Sequence, residues 1–180
     1  MSKFRNIPLP PRLIYGRGAL NQLDCVLASH RKNRHSPFIY ILDHCLKHKK
    51  NISEKLPLDK NDLIIYADTT LEPKTKQVDG IRGRMKRAFG ENISGIIGIG
   101  VGSVMDIAKA VALMLTNKGS SADYQGWDLI QNPAIYKVGI PTLSGTGAEV
   151  SRTCVLMGPE KNWVSIQIIL LLTRSYLTLI

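Results

Sequence analysis

The stretch Gly95–Lys109, GIIGIGVGSVMDIAK, constrains this chain more than any other. A short apolar run, Gly95-Ile96-Ile97-Gly98-Ile99, has the length of one buried strand. Gly100 and Gly102 remove Cβ where the chain must turn sharply. Ser103 is placed to cap the next helix, with Asp106 three residues on to complete a capping box. Strand, glycine turn and helix N-terminus together form the unit that offers free N–H groups and a positive dipole end to a phosphate. The glycines fall at Gly98, Gly100 and Gly102, and Ser103 stands where a third fingerprint glycine of a dinucleotide fold would be. The spacing alone leaves two readings open, a phosphate turn and a plain tight turn.

The remaining chain places this unit in a repeating context. Phe38–Leu42 and Asp62–Ala67 read as strands, the first closed by Asp43. Leu20, Leu23, Val26 and Leu27 repeat at helical spacing within Ala19–Ala28. A short helix is expected over His44–Lys50, and a basic amphipathic helix over Thr75–Phe89 with Val78, Ile81, Met85 and Phe89 inward. Val104–Leu115 reads as a strongly apolar helix, and Asn117–Asn132 as a polar connection. Val138–Pro141 is a short strand that runs into Thr142-Leu143-Ser144-Gly145-Thr146-Gly147, a second turn rich in glycine and hydroxyls. Short strands are also expected at Arg12–Tyr15 and within Val150–Met157. Strands alternating with helices predict an α/β fold with a mostly parallel sheet, in which ligands sit outside the carboxyl ends of strands. Asp43, the Gly100–Ser103 turn and Thr142–Gly147 all fall at such ends. Asp43 has a second reading as the cap of the helix after it. Lys109 reads as solvated or as a helix anchor.

At 180 residues the default is one domain. The formal charge of +10 permits binding to nucleic acid. However, the basic residues scatter over His30–His35, Lys47–Lys50 and Arg82–Arg87 with no interleaved aromatics, so no nucleic-acid partner is expected. Cys25, Cys45 and Cys154 form no pairing pattern, which fits a reducing cytoplasm. The N-terminus lacks a signal-peptide apolar core, and Ile166–Leu172 is far short of a membrane span. His44 and His48 have helical spacing for a metal pair, but no carboxylate at the right spacing completes it.

Gly100–Lys109 resembles the GGGSxxDxAK motif of the iron-containing (group III) alcohol dehydrogenases, and Pro141–Val150 resembles their PTTAGTGSEV motif. The Gly16-Arg17-Gly18 turn, Asp43 and Glu72-Pro73 with Thr75 match that family's N-terminal layout, and the likeness covers roughly residues 4–161. The FRNIP opening and Tyr124–Pro133 look most like the 3-deoxy-manno-octulosonate 8-oxidase branch. The resemblance implies a Rossmann-like dinucleotide-binding domain of the dehydroquinate synthase-like fold, in a protein that oxidises an alcohol or sugar acid. The cofactor implied is NAD(P). Iron or zinc would be held by an all-helical C-terminal domain, and a homodimer is compatible. By the same resemblance Asp43 contacts the adenosine ribose. Gly100, Val101, Gly102 and Ser103 form the pyrophosphate turn, and Thr142, Leu143, Ser144 and Thr146 form a second nucleotide-facing turn. Lys161 is a basic residue near the cofactor. Val101 departs from the family, which usually has glycine there.

All four histidines lie at or before His48, and none matches a metal ligand of that family. No catalytic or metal residue is therefore assigned in this chain, and it is expected to be inactive alone. The domain is expected to span residues 1–161. Residues 162–180 read as an aberrant apolar tail outside the native fold. Back-translated with suitable codons and read two bases on, that tail yields KLGINSDYTPFDQV, the polar continuation expected of the family. A frameshift near Asn162 and a premature end are the expected origin of this tail, and Ile168–Leu172 would then be an aggregation liability.

Overall fold

A computed structural model describes residues 10, 12–127 and 129–159, and the backbone of 164–167. Four parallel strands carry the architecture: β1 (Phe38–Asp43), β2 (Leu63–Ala67), β3 (Gly95–Gly100) and β4 (Lys137–Pro141). Their order across the sheet is β2-β1-β3-β4. Phe38 pairs with Gly95, and Gly100 with Pro141, so β1 and β4 flank β3 in matched register. β1 and β3 are buried at every position, which explains why both read as continuous apolar runs rather than alternating ones.

The alternation is still there, because it sorts residues between two helical layers. Ile39, Ile41, Ile65, Ala67 and Ile96 face α3 (Thr75–Phe89) and α4 (Gly102–Met114). Phe38, Tyr40, Leu42, Ile97, Ile99, Val138 and Ile140 face the opposite layer, built from α1 (Leu23–Ala28), Leu46 and Leu56. The glycines of β3 serve the first face. A Cβ on Gly98 would lie 2.7 Å from the Cβ of Ala108, so only glycine lets α4 close on the sheet. α4 is buried on all sides from Val104 to Met114, packed between β3, α3 and β5 (Thr153–Leu156). α3 is amphipathic as expected, burying Thr75, Val78, Ile81 and Met85, with Phe89 only partly buried.

Several expectations are corrected. Residues 12–15 form no strand, and Leu13 and Tyr15 project into solvent. The first helix divides into a 3-10 turn, Ala19–Gln22, and α1. His44–Lys50 is not one helix. It gives a 3-10 turn at His44–Leu46 and then α2 (Lys50–Ser53), because among the side chains described over 44–49 Leu46 alone is buried and no apolar stripe sustains longer winding. The strand expected within Val150–Met157 is confined to β5. The connection Asn117–Asn132 contains an unforeseen 3-10 turn, Ser121–Tyr124, closed by a capping box of Ser120 and Asp123.

Beyond residue 159 only the backbone of β6 (Val164–Gln167) is described, and it pairs antiparallel with β5. Its V-S-I-Q alternation suits an edge pairing. Ile168–Leu172 lies outside the described residues. Among the described residues no helix is long and apolar enough to cross a membrane.

Candidate functional site at the carboxyl edge of the sheet

In this strand order the chain leaves β1 toward β2 and returns on the other side with β3. The carboxyl ends of β1 and β3 therefore bound the crevice at which open α/β sheets bind ligands. Asp43 ends β1 and Gly100 ends β3, and they are in close contact. A Cβ on Gly100 would lie 3.0 Å from the Cβ of Asp43 and 2.7 Å from Val104 Cγ2. The Asp43 carboxylate is buried. It accepts the Cys45 amide at 3.1 Å and the Thr69 hydroxyl at 2.9 Å, with His44 Nδ1 at 3.4 Å. The cap reading of Asp43 is thus real, and Thr69, which no local sequence pattern marks, fixes the other oxygen.

The glycine turn does not start its helix as expected. α4 begins at Gly102 and its N-cap is Val101, whose φ of −82° and ψ of −179° are extended backbone. Ser103 lies inside the first turn and cannot cap it, and no side-chain cap bond forms. Val101 needs no glycine conformation, so valine fits where the resembling family has glycine. The Val104 amide already donates to Val101 O at 3.0 Å, which leaves the amides of Gly102 and Ser103 to face a ligand.

The second turn lies against the first. Thr142 donates its amide to the Gly100 carbonyl at 2.9 Å, extending the β3–β4 ladder past the strand ends. Thr146 covers Gly102, where an added Cβ would come within 2.8 Å of its Oγ1. Thr142, Leu143, Ser144 and Thr146 are all solvent-exposed, and Gly147 has a φ of 63°. Asp43, Gly100–Ser103 and Thr142–Thr146 are thereby brought to one edge. Lys161 lies outside the described residues.

Behind this second turn is a buried polar cluster. Of the two sequence readings of Lys109, solvated or a helix anchor, the structure selects the anchor: the residue is 2% exposed. Its ammonium pairs with Asp106 at 2.8 Å and donates to Ala148 O at 3.0 Å, to Ser151 Oγ at 3.1 Å and to Thr153 O. Asp106 also accepts the Val155 amide at 3.0 Å, so it is not part of a capping box. Burial, and then the nearby Lys109 charge, lowers the Lys137 ammonium to about 8. Burial pushes the Cys154 thiol up to about 12. The signal for this cluster was in the sequence: two opposite charges at i, i+3 in an otherwise apolar helix.

Part of the basic surface is structural. Arg31 forms a two-point pair with Asp62 at 2.9 Å and lies 4.8 Å over the Phe38 ring. Its guanidinium is pushed up in pKa, chiefly by the hydrogen bond to Asp62. Arg82 donates to the carbonyls of Gly119 and Asn117. Among the described residues no three His, Cys, Asp or Glu side chains gather as a metal site, so the side chains present do not fit an iron or zinc ion.

Sheet order, crevice and paired turns define a Rossmann-like α/β protein. The chain belongs to the iron-containing alcohol dehydrogenase family, whose sequence profile matches residues 10–176. Members of that family are oxidoreductases. The chain is 36% identical over 108 residues to the sulfoacetaldehyde reductase of Bilophila wadsworthia, covering 60% of this chain and 27% of that protein. It is 29% identical over 155 residues to the NAD-dependent methanol dehydrogenase of Bacillus methanolicus, covering 84% of this chain and 39% of that one. In fold it is similar to the sulfoacetaldehyde reductase from Bifidobacterium kashiwanohense in complex with NAD+, with a TM-score of 0.80 at 18% identity over 99% of this chain and 46% of that one. It is likewise similar to a 1,3-propanediol oxidoreductase, with a TM-score of 0.79 at 21% identity over 98% of this chain and 46% of that one. The chain therefore spans less than half the length of these relatives.

Proposed function

We propose that this chain is the nicotinamide-cofactor half of an alcohol-oxidising enzyme, and that by itself it binds NAD(P) without turnover. The observation that supports the reading best is the meeting of Asp43 and the Gly100–Ser103 turn at the crevice between β1 and β3. A Cβ on Gly100 would strike Asp43 and Val104, and one on Gly102 would strike Thr146, so the two glycines let strand end, helix start and second turn close together around the place a pyrophosphate would take. The amides at the start of α4 would hold that anion, Asp43 would accept from a ribose hydroxyl, and Thr142, Ser144 and Thr146 would wall the opposite side. The bound nicotinamide supplies hydride acceptance.

Activating the alcohol is a separate requirement. Among the described residues no cluster of three His, Cys, Asp or Glu side chains is gathered to hold a metal against the alcohol oxygen. We propose that the whole protein acts on the 8-hydroxyl of 3-deoxy-manno-octulosonate, on the strength of the FRNIP and Tyr124–Pro133 stretches. We place it in the cytoplasm, in keeping with three cysteines whose spacing forms no disulfide pattern. We further propose that residues 1–161 are the domain and that a frameshift produced the tail from residue 162. Sequencing the gene across the Lys161 codon tests this, and absence of a family-like continuation in the other frame refutes it.

The test of function is a nicotinamide-fluorescence titration with NADH and NADPH, followed by an alcohol-oxidation assay with ferrous or zinc ion added. Saturable binding with no turnover is expected. Turnover above background refutes the inactive-module reading, and no saturable binding refutes the cofactor site.

A further inference from the structure

We propose that Lys109, with Asp106, is a positioning residue that sets the second turn against the first, and so fixes the geometry of the dinucleotide site; this rests on the cofactor reading above. The turn Thr142–Gly147 is exposed over most of its length and cannot hold itself by burial. Its first residue is tied to β3 by the amide of Thr142 on Gly100 O. Its far end is tied by Lys109, whose ammonium bonds Ala148 O, immediately after the turn, and then Ser151 and Thr153. Asp106 holds the same segment two residues further on, through the Val155 amide. Both charged groups sit on α4, the helix whose N-terminus is the first turn. One rigid helix thus carries the anion-binding amides at its start and the grip on the opposing turn in its middle.

Stability alone does not account for this pair. Lys109 is 2% exposed and Asp106 9%, so both are desolvated inside an apolar helix. Replacing a buried ion pair by apolar groups is often neutral or stabilising, whereas a charged pair fixes one arrangement among several. The ammonium has three protons to give, and here they are directed at four oxygens of side chains and backbone, three of them from residues 148–153. An apolar side chain of the same length would fill the space and leave the path of that segment unspecified.

The test compares the unsubstituted chain, Lys109→Met, and the double variant Asp106→Asn with Lys109→Met. The double variant removes both charges and keeps an amide oxygen for Val155, so it stays folded if the single variant does not. Amide hydrogen exchange over residues 142–156 and NADH titration are read on each, with Val111→Ala as a core control on the same helix. We expect exchange in 142–156 to quicken at least tenfold and the NADH Kd to rise at least tenfold in the double variant, at unchanged far-UV circular dichroism. The control is expected to stay within twofold of the parent Kd. Unchanged exchange, or an unchanged Kd in a chain whose parent binds NADH, overturns the positioning role alone. An equal loss of affinity in Val111→Ala overturns it as well. A parent that binds neither dinucleotide overturns the functional reading and the positioning role with it, while the exchange data still report whether the clamp exists.

Discussion

Replacing Gly102 by alanine probes the contact on which the two-turn site depends. Gly102 opens α4, and an added Cβ would meet Thr146 at 2.8 Å from Oγ1, 3.1 Å from Cγ2 and 3.3 Å from Cβ. All three lie inside the ~3.5–4.0 Å of ordinary carbon contact. Overpacking of this kind costs about 1–3 kcal/mol. Alanine in place of glycine returns up to about 1 kcal/mol of helix propensity. The net loss of stability is then about 0–2 kcal/mol, which shifts Tm by only a few degrees in a chain of this size. The larger effect falls on the turn, because Thr146 must move away from the start of α4. If that movement costs about 1.4 kcal/mol of cofactor binding, the NADH Kd rises about tenfold. Thr146→Ala removes two of the three close atoms, so the double variant should bind NADH as Thr146→Ala does alone. The assay is a double-mutant cycle by fluorescence titration, with thermal melts in parallel. Contacting residues couple by about 0.5–3 kcal/mol. Strictly additive effects, or a Gly102→Ala chain that binds as tightly as the parent, would refute the close apposition of the two turns.

Further perturbations test other parts of the structure. Lys137 titrates near 8 when folded against 10.5 ordinarily, so its burial is a cost that is complete below pH 8. Between pH 8 and 10.5 the unfolded chain holds the extra proton, and stability should rise with pH by roughly 3 kcal/mol from this group. Urea midpoints across that range should climb in the parent and climb much less in Lys137→Met; parallel profiles would be the contrary result. Gly98→Ala sets its Cβ 2.7 Å from that of Ala108, between sheet and helix, where nothing flexible can yield. It should destabilise by about 3 kcal/mol and be partly restored by Ala108→Gly, as calorimetry would show. Asp62 has a fully buried carboxylate that binds Arg31 at two points and accepts the amides of Phe38 and Asp59. Asp62→Ala should therefore cost about 3 kcal/mol in denaturant unfolding, and a loss below about 1 kcal/mol would contradict that role.

The strands and α3 are legible because their signals are local. Phe38–Leu42 and Gly95–Ile99 are unbroken apolar runs, and Thr75–Phe89 carries one clean stripe. Three strand-end positions follow from the sequence pattern alone, since an α/β sheet with glycine turns admits few other places for a ligand. What escapes such reading depends on distance in sequence. The Ser103 cap fails because Val101 is extended and takes the cap position two residues earlier, which the letters do not reveal. The partner of Asp43 is Thr69, and the partners of Lys109 are Ala148, Ser151 and Thr153, all contacts between remote segments. Arg31 and His30 read as members of a solvated basic loop. Their neighbours, Asp62, Phe38 and Tyr136, become visible only once the sheet has assembled.

The strand order has a consequence for how the chain comes together during synthesis. β1 finds β2 early, but its other edge stays open until β2 and α3 have been made and β3 follows. β3 in turn waits for α4 and the long connection before β4 covers it. The most apolar strands of the protein are thus each exposed on one side for a period set by the ribosome rather than by their own pairing strength. Contacts of such high sequence separation form slowly and leave bare edges at risk of pairing with other chains. Gly95–Gly100 could lessen that risk, since a strand half made of glycine pairs weakly until Ala108 and its helix close over it. The same glycines that admit a helix would then also delay a misplaced partner.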